Sequence, residues 1–200
     1  MKFRITVLVL LMTIFSRSLL FASEAVVFPS EQWNISIYHG EYAASRLGEL
    51  ATGDSPNYID EYLTVIALGK RVYSWSDNLH FELEGQLGRG SRDPHHNEYN
   101  IALAARWTSF PWNDYLPTSC AIGEGLSYAS EYPPDERDKE DRSRLLNYLY
   151  FELEIAPPQT SKFSMFGRVH HRSGIAGLFN DVHGGSNMLA LGLRYKLYLN

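Results

Sequence analysis

The chain has 200 residues, one cysteine and a formal net charge of -5 at pH 7. That length is one domain's worth of chain, and a lone thiol excludes an internal disulfide framework or a cysteine-cluster metal site. The mildly acidic balance offers no basic footprint for nucleic acid, and none of these quantities bounds the oligomeric state.

Lys2 and Arg4 precede an apolar run of eleven residues, Ile5 to Phe15, and Ser23-Glu24-Ala25 places small residues where a signal peptidase reads them. The run is too short to span a bilayer as a helix. Residues 1–25 therefore read as a secretory signal cut before Val26, with cleavage after Ala22 as the alternative. Losing Lys2, Arg4, Arg17 and Glu24 moves the net charge from -5 to -7. Residues 26–200 are expected to form a single domain outside the cytoplasm.

From there the chain alternates between apolar and polar residues with a period of two, the pattern of a strand with two distinct faces. Strands are predicted over 32–43, 61–75, 79–90, 97–108, 118–130, 145–156, 162–173 and 187–199. Most have ten or more residues, whereas globular strands average ~5–6 and a tilted bilayer-crossing strand needs ~9–11. The links tend to alternate between long (44–60, 131–144, 174–186) and short (76–78, 157–161), although 91–96 and 109–117 break the order.

One face of each strand is apolar: Leu79, Phe81, Leu83 and Leu87; Leu149, Phe151, Leu153 and Ile155; Leu189, Leu191, Leu193, Leu197 and Leu199. The opposite face carries Glu82, Glu84, Arg106, Glu152, Glu154, Arg168, Arg194 and Lys196. A secreted lipid-binding barrel would turn the apolar face inward; an outer-membrane barrel reverses it. The secretory signal, the strand lengths and the aromatics near strand ends (Trp33, Tyr62, Tyr73, Trp75, Trp107, Trp112, Tyr115, Tyr195, Tyr198) favour the second. The expected fold is all-β, an eight-stranded antiparallel transmembrane barrel of the outer-membrane type, with the acidic and basic side chains paired inside. Glu124 breaks the pattern by sharing parity with Ile122 and Leu126, and a bulge at Gly123 or Gly125 is expected to turn it inward.

The seventh strand ends in His171-Arg172-Ser173. Its apolar face gives way at the outer end to a histidine and a serine two positions apart, whose Cα atoms lie ~6.6 Å from each other on one face. An imidazole can bridge that gap to a hydroxyl, the geometry a base needs to activate a serine, and a polar pair on a lipid-facing wall is a candidate functional feature.

His171-x-Ser173, followed by Ala176-Gly177-Leu178 and Asn180-Asp181, resembles the PagL-type lipid A 3-O-deacylases, with weaker support from residues 122–128. The resemblance implies an eight-stranded outer-membrane barrel whose external histidine and serine hydrolyse an ester-linked acyl chain of lipid A in the outer leaflet, with no metal or other cofactor. It assigns Ser173 as nucleophile and His171 as base. The family's glutamate falls here at Gly185 and its asparagine after the serine at Gly174, so Asp181 is the nearest acid to orient His171. Backbone amides around 174–177 are the expected oxyanion donors. The rival reading is a non-catalytic barrel with a structural or adhesive role.

The doublets His95-His96 and His170-His171 point to opposite faces of their strands and do not chelate from one side; His170 is expected inside the barrel. The charged run 135–142 reads as a solvated extracellular loop able to touch lipopolysaccharide phosphates.

Overall fold

A computed structural model describes residues 33–52, 56–92, 95–137, 139–157 and 162–197; the expected leader, residues 1–25, lies outside them. Eight strands form one closed barrel in sequence order: β1 (Trp33–Ala43), β2 (Tyr58–Ser74), β3 (Leu79–Gly90), β4 (Asn97–Trp107), β5 (Thr118–Ala129), β6 (Leu145–Ile155), β7 (Phe163–Ser173) and β8 (Gly185–Leu197). Every neighbouring pair is antiparallel, and β8 closes the wall against β1. The predicted strands correspond one to one. β2 and β8 start earlier than the alternation suggested, and the first loop contains a short helix, α1 (Leu47–Thr52), that the period-two pattern did not reveal.

The register determines the lean of the strands. A row taken across the sheet from Leu79 passes through Trp107, Cys120, Leu153, Gly167, Leu191, His39 and Thr64, and returns to β3 at Arg89, ten residues further along. Eight strands with that stagger lean by about 40° from the barrel axis. The longer loops, 44–57, 130–144 and 174–184, lie on one side, which identifies it as the outer one. Rows therefore climb toward the outer side in the direction β7, β8, β1, β2.

The apolar faces point outward. Ile37, Ile66, Leu87, Ile101, Leu103, Leu153, Met165, Leu191 and Leu193 are all exposed, while Glu82, Glu84, Arg106, Glu152, Glu154, Arg168, Arg194 and Lys196 are buried inside. This inversion makes sense only with hydrocarbon around the wall, where the barrel satisfies every ladder hydrogen bond internally. Inside, Glu152 accepts from Arg106 at 2.7 Å and from Arg194 at 2.7 Å and also pairs with Arg168. Glu84 pairs with Arg168 at 2.7 Å, Glu82 with Arg106 at 2.9 Å, and Lys196 with Glu154 at 3.1 Å. Nearer the mouth, His170 lies inside as expected, with Nε2 at 2.9 Å from Glu98 Oε2 and Tyr42 donating to Glu98 at 2.7 Å.

Two expectations are corrected. Residues 120–128 keep an uninterrupted register with both neighbouring strands, so no bulge turns Glu124 inward; its side chain is exposed on the outer wall. The loop 130–144 is also not wholly solvated. Its 3₁₀ turn, Pro134–Glu136, drops Glu136 into the barrel mouth, where it accepts from Arg172 Nε at 3.0 Å and Ser186 Oγ at 2.8 Å. Burial pushes the Glu136 carboxyl up, against the pull of Arg172, which is the cost of using a charged residue as a plug.

Glu152 is the shared partner of three guanidinium groups. Glu152→Ala leaves buried cations uncompensated and should lower unfolding free energy by about 3–5 kcal/mol. The measurement is the urea midpoint at which the compact, heat-modifiable gel band is lost, and an unchanged midpoint would contradict this role for the network.

Candidate active site on the outer wall

His171 and Ser173 occupy the outward parity of β7, both half-buried, while Arg168, His170 and Arg172 face inward. Arg172 anchors the strand end: besides Glu136 it donates to Ser127 Oγ at 2.8 Å, so the segment between the two candidate residues is tied to β5 and to the plug. Next to them is a cleft of about 580 Å³. Ser45, Arg46 and Leu47 line it from the loop 44–57, Asp135 and Lys139 from the loop 130–144, and His183, Gly185 and Asn187 from the loop 174–184 and β8.

The partner of His171 is a residue that the sequence reading did not single out. Asn187 lies directly across β8 from His171, and its Oδ1 is 2.7 Å from His171 Nδ1. The other end of the same amide donates from Nδ2 to the Ser45 carbonyl at 2.8 Å. A carbonyl only accepts, so the NH2 must face Ser45 and the amide oxygen must face the imidazole. His171 therefore carries its proton on Nδ1 and has a lone pair on Nε2, the form a general base requires. Ser45 is itself fixed, its Oγ accepting from Asn57 N at 2.9 Å at the base of the first loop.

Asp181 lies elsewhere. It is exposed in the loop 174–184 at a positive φ of 56°, it does not line the cleft, and among the described residues no side-chain bond joins it to His171. The expected oxyanion donors, the amides around 174–177, narrow to two. Gly174 N donates to Gly184 O at 3.1 Å and Gly177 N to Val182 O at 2.9 Å. Ile175 and Ala176, both at positive φ, keep amides with no backbone acceptor among the described residues. No hydrogen bond joins Ser173 Oγ to His171 among the described residues; such contacts are often long before substrate binds.

The cleft is basic on its loop side. Lys139 Nζ is 2.9 Å from Asp135 and donates to the Gly185 carbonyl at 2.9 Å, at the β8 position paired with Ser173. His183 N donates to Asp141 at 2.8 Å, a bond that holds this carboxyl below its usual range. The contribution is present above the unfolded value and is lost as pH falls through the lowered one. Below the cleft, a shallow trough of about 870 Å³ crosses five strands. It follows two register rows, Phe151–Val169–Leu189–Glu41–Tyr62 and Leu153–Gly167–Leu191–His39, and its deep floor is open because Gly167 has no side chain. The polar end of this trough, where His39 stacks on Tyr62 and reaches Thr64 at 2.9 Å, was also not anticipated.

No protein-family model and no curated protein matches the chain. Solved structures do. The outer-membrane enzyme PagL superposes with a TM-score of 0.60 at 14% identity, covering 82% of this chain and 99% of that one. Neisserial surface protein A, NspA, superposes with a TM-score of 0.50 at 15% identity, covering 82% and 96%. At such identities the likeness is one of fold: this chain is an eight-stranded bacterial outer-membrane barrel.

Asn187→Ala removes the acceptor that selects the imidazole tautomer. The expected result is a shift of the His171 ring-nitrogen NMR signals toward the Nε2–H form, with Asn187→Asp retaining Nδ1–H. Identical spectra for the wild-type and alanine proteins would rule out this control.

Proposed function

We propose that the barrel is a serine-type ester hydrolase that removes an ester-linked acyl chain from lipid A of lipopolysaccharide, in the manner suggested by its resemblance to PagL. The observation that carries the reading is the orientation of one imidazole. His171 lies on the lipid-facing wall, on the face that bears Ser173, and is held by an amide whose other end is pinned, so that Nε2 is free to take a proton.

In this reading Ser173 Oγ attacks the ester carbonyl while His171 Nε2 takes its proton, and the same nitrogen returns the proton to the departing sugar oxygen. Water then attacks the acyl-serine, again deprotonated by His171, and the freed acid leaves along the wall. Asn187 takes the orienting role that the sequence suggested for Asp181. An amide fixes the tautomer but does not neutralise the imidazolium that forms, so it should do part of a carboxylate's work. The amides of Ile175 and Ala176 are the donors available to a developing oxyanion. Lys139 and Arg46 offer charge to the phosphorylated head, and the trough below His171 offers apolar wall to the chains. A secretory leader in residues 1–25 is part of the same proposal, since such a barrel reaches its membrane by export.

The alternative, a non-catalytic barrel with a structural or adhesive role, draws on the absence of a Ser173–His171 bond among the described residues. Mass spectrometry of lipid A from cells producing the protein separates the two. The hydrolase should convert a fraction of lipid A to a species lacking one acyl chain, Ser173→Ala should abolish the conversion, and Asn187→Ala should slow it by about 10²-fold or more. Unaltered lipid A in cells where the folded barrel is demonstrably inserted would favour the alternative.

A further inference from the structure

Glu124 lies halfway up the lipid-facing wall. On β5 it is four residues from Cys120, which pairs with Trp107, and four from Tyr128, which pairs with Tyr99. At ~3.3 Å per residue and a lean of about 40°, the carboxylate lies about 10 Å inside the aromatic girdle at either edge. Its outward neighbours are Ile122, Leu126, Leu103 and Leu149. It has no hydrogen-bond or ion-pair partner among the described residues. An ionisable side chain at that depth costs stability and is by default a functional one.

The register gives its place relative to the candidate nucleophile. Ser173 pairs with Asn147 and Asn147 with Leu126, so Glu124 lies two strands over and two residues down from Ser173. With strands ~4.8 Å apart and rows descending from β7 to β5, that places Glu124 about 11 Å nearer the bilayer centre and only about 3 Å to one side. Leu149 lies between them on the same outward face. An acyl chain hanging from an ester at Ser173 along the membrane normal passes over Leu149 and alongside Glu124. The side chain of Glu124 can reach up and the ester hangs down, so the gap closes to the first few carbons of the chain.

We propose that Glu124 is a hydrogen-bonding site for a hydroxyl carried on the acyl chain, and makes the wall selective for hydroxylated over plain acyl esters. This rests on the hydrolase reading for its substrate but not for its binding chemistry. The Glu124 carboxyl can share a hydrogen bond with a hydroxyl that has no other partner in hydrocarbon, whereas a plain chain leaves Glu124 unpaired there, so the discrimination comes from both sides of the contact.

The test uses the full barrel in lipid nanodiscs, offered equal amounts of 3-hydroxytetradecanoyl and tetradecanoyl esters of the same phosphorylated glucosamine. Hydrolysis is followed by mass spectrometry, and retention of each lipid by native mass spectrometry. Wild type should favour the hydroxylated ester at least tenfold, Glu124→Leu should bring the ratio near one, and Glu124→Gln should retain part of it. Ser173→Ala should keep the binding preference without hydrolysis. Glu124→Leu replaces a polar group with an apolar one on a lipid-facing surface, so its folded state should be at least as stable, and the heat-modifiable gel band checks this. Equal retention of both lipids by wild type, or an undiminished preference in Glu124→Leu, overturns the proposal. A binding preference lost in Glu124→Leu without any hydrolysis by wild type supports the site and overturns the hydrolase reading instead.

Discussion

The buried charge network inside the barrel is the constraint on which the rest of the structure depends. Glu152 and Glu84 interlock with Arg106, Arg168 and Arg194 across strands that are distant in sequence. Charges in such numbers are stable in a closed interior only when each is paired, because an unpaired one carries its full desolvation cost. With the charged parity committed inward, the other parity of every strand must face hydrocarbon. The lipid-facing positions of His171, Ser173 and Glu124 follow from that commitment. An eight-strand bore is just wide enough for its own side chains to fill.

The mouth of the barrel couples the interior to the wall. Arg172 lies between His171 and Ser173 in sequence and faces the opposite way, where Glu136 and Ser127 hold it. Glu136 belongs to the same loop that brings Lys139 to the Gly185 carbonyl beside Ser173. The plug and the cleft are thus two faces of one loop. An internal ion pair fixes where the external basic group sits, and preorganisation of this kind gives a site its geometry without a rigid helix or sheet on the outer side.

The wall is graded rather than uniform. Its trough climbs from Leu153 and Phe151 to Glu41, His39 and Tyr62, from hydrocarbon depth to headgroup depth, because register rows in a leaning barrel are themselves ramps. A lipid lying along such a ramp meets apolar and polar surface in the order in which its own tail and head present them. Glu124 departs from the gradient, since hydrocarbon-facing side chains surround it on the wall.

By itself the sequence determined the strand number, the strand limits to within a few residues, and which parity is oily, because a period of two is local and needs no partner to be read. It also determined that His171 and Ser173 share a face, for the same reason. Which residue holds the imidazole was decided only by the tertiary structure. Asn187 meets His171 through the β7–β8 register across an eleven-residue link, and its amide is oriented by Ser45 from a loop at the far end of the chain. Asp181 had the right chemistry and the nearest position in sequence, but the turn that carries it points it away from the cleft. The depth of Glu124 likewise depended on closure. Only the ten-residue stagger around the ring tells how far one strand has climbed past another, and hence which side chain lies beneath which.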